Sequence, residues 1–555
     1  MSPSPSRRFT PLTAALLVIL AAYIAWMLSM PLLPTEDGPV HLYYAQILTR
    51  LLTHSDATTA HFFRIKHLLP PYSLYYYTLV ALGRFVPFLL ADRIVICLYF
   101  VLFVTGFRYL ARAIGPRAEC ATLFAAVLLL NWPLGMGFVN FDLALALALW
   151  AAGLWVRSLT NASIKRSVLF VVLAAAIMLT HPVPLLFVLG FAALTLVIAA
   201  FQHRRSNASS PLPSGFAANL ITLFCAALTL VYVKLFTRSN AFRQVDTTNP
   251  SFKAELLYRI HRYGSEYGVS FLSGSAPLIR VYRIGLMLVL LGALFVAARK
   301  RLRNRRAGVW TIGDTAFVAS LLLLLSMPFL PPSVNGSTHF ADRVLIFVWI
   351  AALLAAAAST APAPRSSITA AAITGALALN ACLLLAANAY IRPLANSIAA
   401  LEATPVTYEG QLGLIVEDLR EPGGTSYANV TWDPYIWAGA HFFRHQNAVL
   451  ANPPWLDLAI IPIGSRPALP ASWIPQRLDD FPLFLSRDLQ SSPQHRAAVL
   501  SSVDFVFVNQ PMRPEVLTLE PMSAGDSALD QSWPCRPGAA SWYRLCSRAT
   551  PNAHP

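Results

Sequence analysis

The sequence predicts an α-helical polytopic membrane protein of about 11 transmembrane helices, followed by a soluble extracytoplasmic α/β domain. Three observations predict it. Only 12% of the 555 residues are charged, against roughly a quarter in a soluble protein. The hydrophobic fraction is 56% and mean hydropathy is +0.55. The net charge of +16 is unevenly placed, because residues 1–390 carry a basic excess of 20 and residues 391–555 an acidic excess of 4. These values exclude a disordered chain, a coiled coil and an ordinary cytosolic enzyme. They also exclude the nucleic-acid partner that a bare +16 suggests, since the excess belongs to the hydrophobic part, where it reads as the positive-inside bias of cytoplasmic loops.

A span needs ~20 mainly apolar residues to cross ~30 Å of hydrocarbon. Such stretches fall at 11–33, 89–113, 119–132, 138–157, 166–181, 183–202, 215–236, 276–299, 311–329, 340–360 and 366–389. Placing Arg7 and Arg8 in the cytoplasm puts Arg108, Arg112 and Arg117, then Lys165 and Arg166, then Arg204 and Arg205, on that side too. The run Arg299–Arg306, with six basic residues in eight, joins them. The short opposite turns at 132–138, 181–184 and 331–339 carry no Lys or Arg. The predicted location is a bacterial inner membrane, multi-pass, with the N-terminus cytoplasmic. The first span lacks an A-x-A-like cleavage site and reads as an uncleaved anchor.

Two outer segments are too long for turns, 34–88 and 237–275. The first contains VHLYYAQILTRLL and the tyrosine-rich PYSLYYYTLVALGRF, both expected as amphipathic helices along the membrane face. The predicted domains are therefore a transmembrane domain over 1–390, with its outer loop at 34–88, and a soluble domain over 391–555. The second domain shows β-like runs such as LGLIVED and VDFVFVNQ and holds six of the twelve tryptophans. Cys535 and Cys546 are its only cysteines. An oxidising compartment would permit a disulfide between them, and sequence leaves that open.

No phosphate-binding loop, dinucleotide fingerprint, zincin motif, C-x-x-C or nucleophile elbow is present in the chain, which argues against those chemistries. What stands out is a one-sided gathering of polar groups. Glu36, Asp37 and His41 follow the first span; Asp142 opens the fourth; His181 ends the fifth; His339, Asp342 and Arg343 open the tenth. Ionisable groups at the rim of an apolar bundle mark a functional site by default. Blander readings exist for each. Glu36 or Asp37 would cap the helix starting near Pro39, His41 would anchor in headgroups, His181 would end a helix, and Asp342 with Arg343 would form a surface ion pair.

Three stretches carry a family resemblance. PTEDGPVHLYYAQIL places Glu36-Asp37 just after an N-terminal anchor, PFLLADRIVICLYFV places Arg93 at the start of the second span, and Asp142 lies beyond the third. This layout, over about residues 10–200, resembles the GT-C superfamily of membrane glycosyltransferases, in particular the protein O-mannosyltransferase and lipid A aminoarabinose transferase group. Pro70-Pro71-Tyr72 departs from that group's Pro-Pro-Leu, and Gly38 follows Asp37 where many members carry Glu or an aromatic. The resemblance implies an inverting transfer of a sugar from a polyprenyl-phosphate donor to an acceptor hydroxyl on a glycan, lipid or protein, at the outer face. It implies Asp37 as general base beside Glu36, with His41, Asp142, His181 and His339 in support. Arg93, Arg262 and Arg343, with Arg259 and Lys253 as further outer cations, would meet the donor phosphate. No cofactor is assigned; some members of the group use a divalent metal ion, and His41, Asp142, His181 and His339 would either orient the base or hold one, with no tight ligand spacing to decide it. Two rival expectations are a transporter or flippase of lipid-linked glycans, and a non-catalytic assembly protein acting through its outer domain.

Overall fold

The computed structural model describes residues 10–115, 118–205, 215–237, 271–272, 276–306, 310–330, 333–334, 337–338, 340–358, 366–403, 412–417, 437–445, 448–450, 462–466, 504–509, 535–537 and 543–547. Helix α1 (Pro11–Ser29) starts where Thr10 caps the Thr13 amide and Pro11 occupies the first turn, as helix starts favour. Its sequence is apolar on every side, as expected of a span rather than a surface helix. The loop after it leads to α2 (Gly38–Thr53), α3 (Ala57–Phe62), strand β1 (Phe63–Ile65) and α4 (Ser73–Leu82). Then follow α5 (Phe88–Ile114), α6 (Ala118–Ala125), α7 (Trp132–Gly135), α8 (Val139–Thr160), α9 (Ile164–Thr180), α10 (Pro182–Arg205) and α11 (Phe216–Thr237). The bundle continues with α12 (Pro277–Arg306), α13 (Ile312–Ser326), the short hairpin β2 (Ser333–Val334) and β3 (Ser337–Thr338), α14 (Phe340–Ala357) and α15 (Ser366–Ala403).

Each of the apolar stretches marked in the sequence meets a helix. Among the described residues six helices are long and apolar enough to cross a membrane: Pro11–Ser29, Phe88–Ile114, Val139–Thr160, Pro182–Arg204, Pro277–Arg303 and Thr369–Leu401. The remaining helices fall outside that set, and α6 at Ala118–Ala125 gives way to a 3₁₀ turn at Ala126–Leu128. Helix α8 is the axis of the bundle, with 89% of its apolar window buried, whereas α12 shows only 28% and presents Val281, Ile284, Leu288 and Phe295 outward.

Past the bundle the described segments are β4 (Leu412–Glu417), α16 (Gly439–His445), β5 (Val449–Leu450), β6 (Ile463–Ser465), β7 (Phe505–Asn509), β8 (Cys535–Pro537) and β9 (Tyr543–Ser547). Five of the strands form a sheet in the order β5-β4-β7-β9-β8. The β5, β4 and β7 strands are parallel, while β9 and β8 are antiparallel. The register sets Cys535 opposite Cys546. The change of composition at 390 falls inside α15, which runs on to Ala403 with Pro393 within it. Arg392 there donates to the carbonyl and hydroxyl of Ser29, tying α15 to the end of α1.

The outer loop does not simply lie on the membrane face. Helix α2 buries eleven of its sixteen residues because α16 covers it. Tyr43 of α2 accepts from the Leu450 amide at 2.8 Å, and β1 pairs antiparallel with β6. The amphipathic pattern of α2 reported a buried interface on both flanks rather than a lipid surface, since a covering protein layer and a headgroup layer select the same apolar spacing.

Candidate active site

The site begins with a crossing of two loops. The Asp37 amide donates to Met136 O at 3.0 Å and the Glu36 amide to Gly135 O at 3.3 Å, so the segment before α2 is pinned onto the turn after α7. Gly137 has φ +86°, where an L side chain is strained. A Cβ there would also stand 3.1 Å from the Asp37 backbone nitrogen and carbonyl carbon, and closer still to the Gly38 nitrogen. Gly38 in turn lies where any Cβ would overlap the Thr35 hydroxyl. A side chain at Gly38 therefore requires the Thr35 side chain to move.

Asp37 is the N-cap residue of α2 by position, yet its side chain makes no cap hydrogen bond. Its Oδ1 is buried with no hydrogen-bond partner. Burial pushes its carboxyl well above the usual carboxylate range, and the Arg343 charge pulls it part of the way back. One turn on, His41 bonds Tyr76 Oη through Nδ1 at 2.6 Å, and burial lowers the ring to about 4, so it is neutral at pH 7. Tyr75, beside it, donates to Asp92 at 2.7 Å.

The other arm of the site comes from α8. Asp142, in its first turn, accepts from Asn131 Nδ2 at 2.8 Å, while its Oδ2 has no partner. Asn131 also caps α7 through the Leu134 amide and donates to Tyr99 at 2.9 Å, so one amide fixes both the turn and the carboxylate. At the α9–α10 junction, Arg343 of α14 donates to His181 Nε2 at 2.9 Å. The Val183 amide faces Nδ1 of the same ring at 3.2 Å. A neutral imidazole has a single acceptor nitrogen, so the ring accepts from one of these two donors, and acceptance from Arg343 at Nε2 puts the ring proton on Nδ1. Arg343 lies over the Phe138 ring at 4.1 Å, a stacking that suits a guanidinium. Tyr72, left-handed at φ 71° after Pro70-Pro71, packs its ring edge-to-face with that of His181, the centroids 4.5 Å apart.

Asp37, Asp142 and Asp342 all act electrostatically on Arg343, and Asp37, Asp142, His181 and Arg343 are no more than 5% exposed. The structure thus brings together residues from the loop after α1 and from α8, the α9–α10 junction and α14. Arg93 is not with them. It donates to the carbonyls of Leu28 and Met30, clipping the end of α1, and that use of its donors was invisible in sequence. Glu36 is half-buried and joins the crossing through its backbone. His339, Arg262, Arg259 and Lys253 lie outside the described residues. Asn131, Tyr72, Tyr76 and Gly137 were missed. The only advance signal was Asn131 before Trp-Pro, a helix-start pattern.

Past a layer of aromatic rings from this cluster lies a separate apolar cavity, which none of Asp37, Asp142, His181 and Arg343 lines. Phe141 touches both the His181 ring at 5.3 Å and the Phe347 ring at 6.2 Å. Phe347 stacks on Phe187 at 3.8 Å. Both line this cavity of about 260 Å³ between α8, α10, α13 and α14, with Leu145, Leu149, Phe191 and Leu354. Leu186 and Leu322, also in its wall, are exposed, so the cavity opens to the lipid side. No group of three or more His, Cys, Asp or Glu stands in metal-binding arrangement among the described residues.

No protein-family model matches the chain, and no curated protein matches it. Solved structures do. The chain is similar to ArnT from Cupriavidus metallidurans bound to undecaprenyl phosphate, with a TM-score of 0.50 and 12% identity over 98% of this chain and 99% of that one. The apo state of that protein gives 0.50 and 13% over 97% and 98%. The arabinofuranosyltransferase AftD from Mycobacteria gives 0.48 and 16%, this chain covering 40% of its length. The likeness to ArnT shows that the chain shares the fold of that structure.

Proposed function

We propose that the protein is an inverting glycosyltransferase that moves a sugar from a polyprenyl-phosphate donor to an acceptor hydroxyl at the outer face of a bacterial inner membrane. The observation that carries this reading is the convergence of Asp37, Asp142, His181 and Arg343, with an apolar cavity on the far side of the Phe141 and Phe347 rings. An amphiphile with an isoprenoid tail and a charged head fits that pairing of a greasy slot and a buried guanidinium. The likeness to a fold crystallised with undecaprenyl phosphate agrees with it.

In the proposed reaction the acceptor hydroxyl gives its proton to Asp37 as its oxygen attacks the anomeric carbon. The bond from that carbon to the phosphate oxygen breaks, and the lipid phosphate leaves with the electron pair. Attack opposite the leaving group inverts the anomeric centre. Asp37 suits a general base because one of its carboxyl oxygens makes no hydrogen bond and can take a proton. Arg343 meets the developing phosphate charge, and neutral His181 orients the guanidinium through Nε2. Asp142, held by Asn131, is assigned to positioning the acceptor hydroxyl. No step here requires a metal.

Among the described residues the acids at the opposite end of the bundle are spent on structure, Glu119 on Arg108 and Arg112 and Asp314 in a capping box. No buried group of carboxylates there matches Asp37 and Asp142, which favours the transferase over the flippase. The test is sugar transfer in proteoliposomes from candidate polyprenyl-phosphate sugars, comparing wild type with Asp37→Asn. Loss of transfer by about 10²–10⁴-fold, the worth of a general base, with unchanged folding is expected. Full transfer by the folded variant would overturn the role of Asp37.

A further inference from the structure

The sheet past the bundle sets two cysteines side by side. Strands β8 and β9 run antiparallel, and their register pairs Cys535 with Cys546, Arg536 with Leu545 and Pro537 with Arg544. Directly opposite residues share a face of the sheet. In an antiparallel pair they stand about 4.5 or about 5.5 Å apart at Cα, depending on the ladder site. Both separations fall within the span of about 4.4–6.8 Å that a disulfide bridges. The phase of β9 is set from its other side, where five residue pairs join it to β7, from Phe505 with Ser547 to Asn509 with Tyr543. Phe507 of β7 is fully buried and packs on Phe442 of α16 at 5.5 Å. Cys546 is opposite Val506, the next residue along, so the two cysteines lie on the face of the sheet away from α16.

Nothing else in the chain competes for this pairing. Of the six cysteines only these two lie past residue 390. Cys97, Cys120, Cys225 and Cys382 belong to α5, α6, α11 and α15 of the bundle, and none of the four is in a disulfide. Strand β8 also has little else to hold it. It is three residues long and stands at the edge of the sheet, with β9 as its one neighbour among the described residues. Its third residue, Pro537, has no N–H to give to the ladder. A covalent link across so short an edge supplies the tie that backbone hydrogen bonds do not.

We infer that Cys535 and Cys546 form a disulfide that ties β8 to β9 in an oxidising compartment outside the membrane. The bond closes a ring over the ten residues 536–545, which restricts the unfolded chain there. It forms by exchange with a disulfide donor, the two-electron oxidant of such a compartment. The thiolate of one cysteine attacks a sulfur of the donor disulfide and expels a donor thiolate. The thiolate of the other then attacks the protein sulfur of that mixed disulfide and expels the second donor thiolate. The two protons lost by the cysteines are taken up by the donor, which leaves as a dithiol. The inference rests on the proposed outer placement of 391–555 and on none of the residues assigned to catalysis.

The test is non-reducing peptide mapping of the full-length protein from membranes, with thiols blocked by N-ethylmaleimide as the cells are opened. Trypsin cleaves after Arg544, which parts the two cysteines, so their peptides stay together only through the bond. The expected result is the linked pair by mass spectrometry, with neither cysteine carrying maleimide until a reductant is added. Cys546→Ser should abolish the linked pair and expose Cys535 to the label. A second portion, opened without the blocking agent, is treated with oxidised glutathione. Labelling of both cysteines in the first portion, with no linked pair in the second, overturns the bond through its geometry. Labelling in the first, with a linked pair only in the second, overturns the outer placement and with it the bond as a feature of the native protein.

Discussion

Gly137→Ala tests the geometry on which the site depends without touching a polar group. The added methyl carbon would sit 3.1 Å from the Asp37 nitrogen and carbonyl carbon, and nearer to the Gly38 nitrogen. Ordinary separations begin at about 3.5 Å, so the two loops must part by about 1 Å. The left-handed backbone adds about 1–2 kcal/mol for any residue with a Cβ. The strain falls where the Asp37 amide bonds Met136 O, and the expected response is that Asp37 moves away from Asp142 and Arg343. A displacement of about 1 Å at a reacting group costs on the order of 10²-fold in rate. Donor binding should change little, because Arg343 and the apolar cavity belong to α8, α10, α13 and α14. The assay is steady-state sugar transfer at varied donor concentration, with thermal unfolding to establish that the variant is folded. The expected result is a kcat lowered about 100-fold with KM for the donor within a few-fold of wild type. A folded variant with more than half of wild-type kcat would refute the claim that the crossing at Gly137 positions the base.

Three other outcomes are expected. Arg343→Ala removes the charge that draws the Asp37 carboxyl down and leaves the burial that pushes it up. A base works only when ionised, so the acid limb of kcat/KM should move to higher pH, and Arg343→Lys should bring it back; a limb that stays put would separate the two residues. Asn131→Ala strips Asp142 of its donor at 2.8 Å and α7 of its cap, which should lower stability by about 1–3 kcal/mol in denaturant unfolding, and an unchanged midpoint would contradict it. Tyr43→Phe removes the acceptor for the Leu450 amide, worth about 1 kcal/mol, and should speed hydrogen exchange at Leu450 about fivefold with the bundle amides unchanged.

Much of the site was legible because membrane burial makes polar residues conspicuous. Asp142 among Val139, Phe141 and Leu143, or Arg343 at the head of an otherwise apolar helix, cannot be there without partners, and the side of the bundle follows from the basic loops opposite. Sequence could not say which partners. His181 and Arg343 are 162 residues apart, and hydropathy reports how deep a residue lies, not which helix lies next to it. Arg93 shows the same gap, since nothing in its segment reveals that α1 ends within reach of its guanidinium. Helix α2 was legible as an amphipathic helix but not as one covered by α16, because its partner is drawn from some 400 residues downstream. Neighbour residues such as Asn131 and Tyr76 act through single hydrogen bonds, which leave no periodic trace.

A single buried guanidinium among several carboxyls looks poorly matched to an anionic donor, and the proposed reaction resolves the mismatch. Before transfer, Asp37 carries one negative charge and the sugar phosphodiester one. After it, Asp37 holds the acceptor's proton and is neutral, while the lipid phosphate monoester carries two. The total is unchanged, and charge has passed from the carboxylate to the phosphate. Arg343, which feels Asp37, Asp142 and Asp342 together, then serves both states. At the start it keeps buried Asp37 ionised enough to act, and at the end it is released to the leaving group as protonation ends the carboxylate's claim on it. A second cation beside Asp37 would hold charge on the carboxylate and oppose that transfer. His181, accepting from Nη1 without adding charge, fixes where the guanidinium points and leaves the balance untouched. On this account a basic residue introduced next to Asp37 lowers kcat even though it raises the fraction of ionised base.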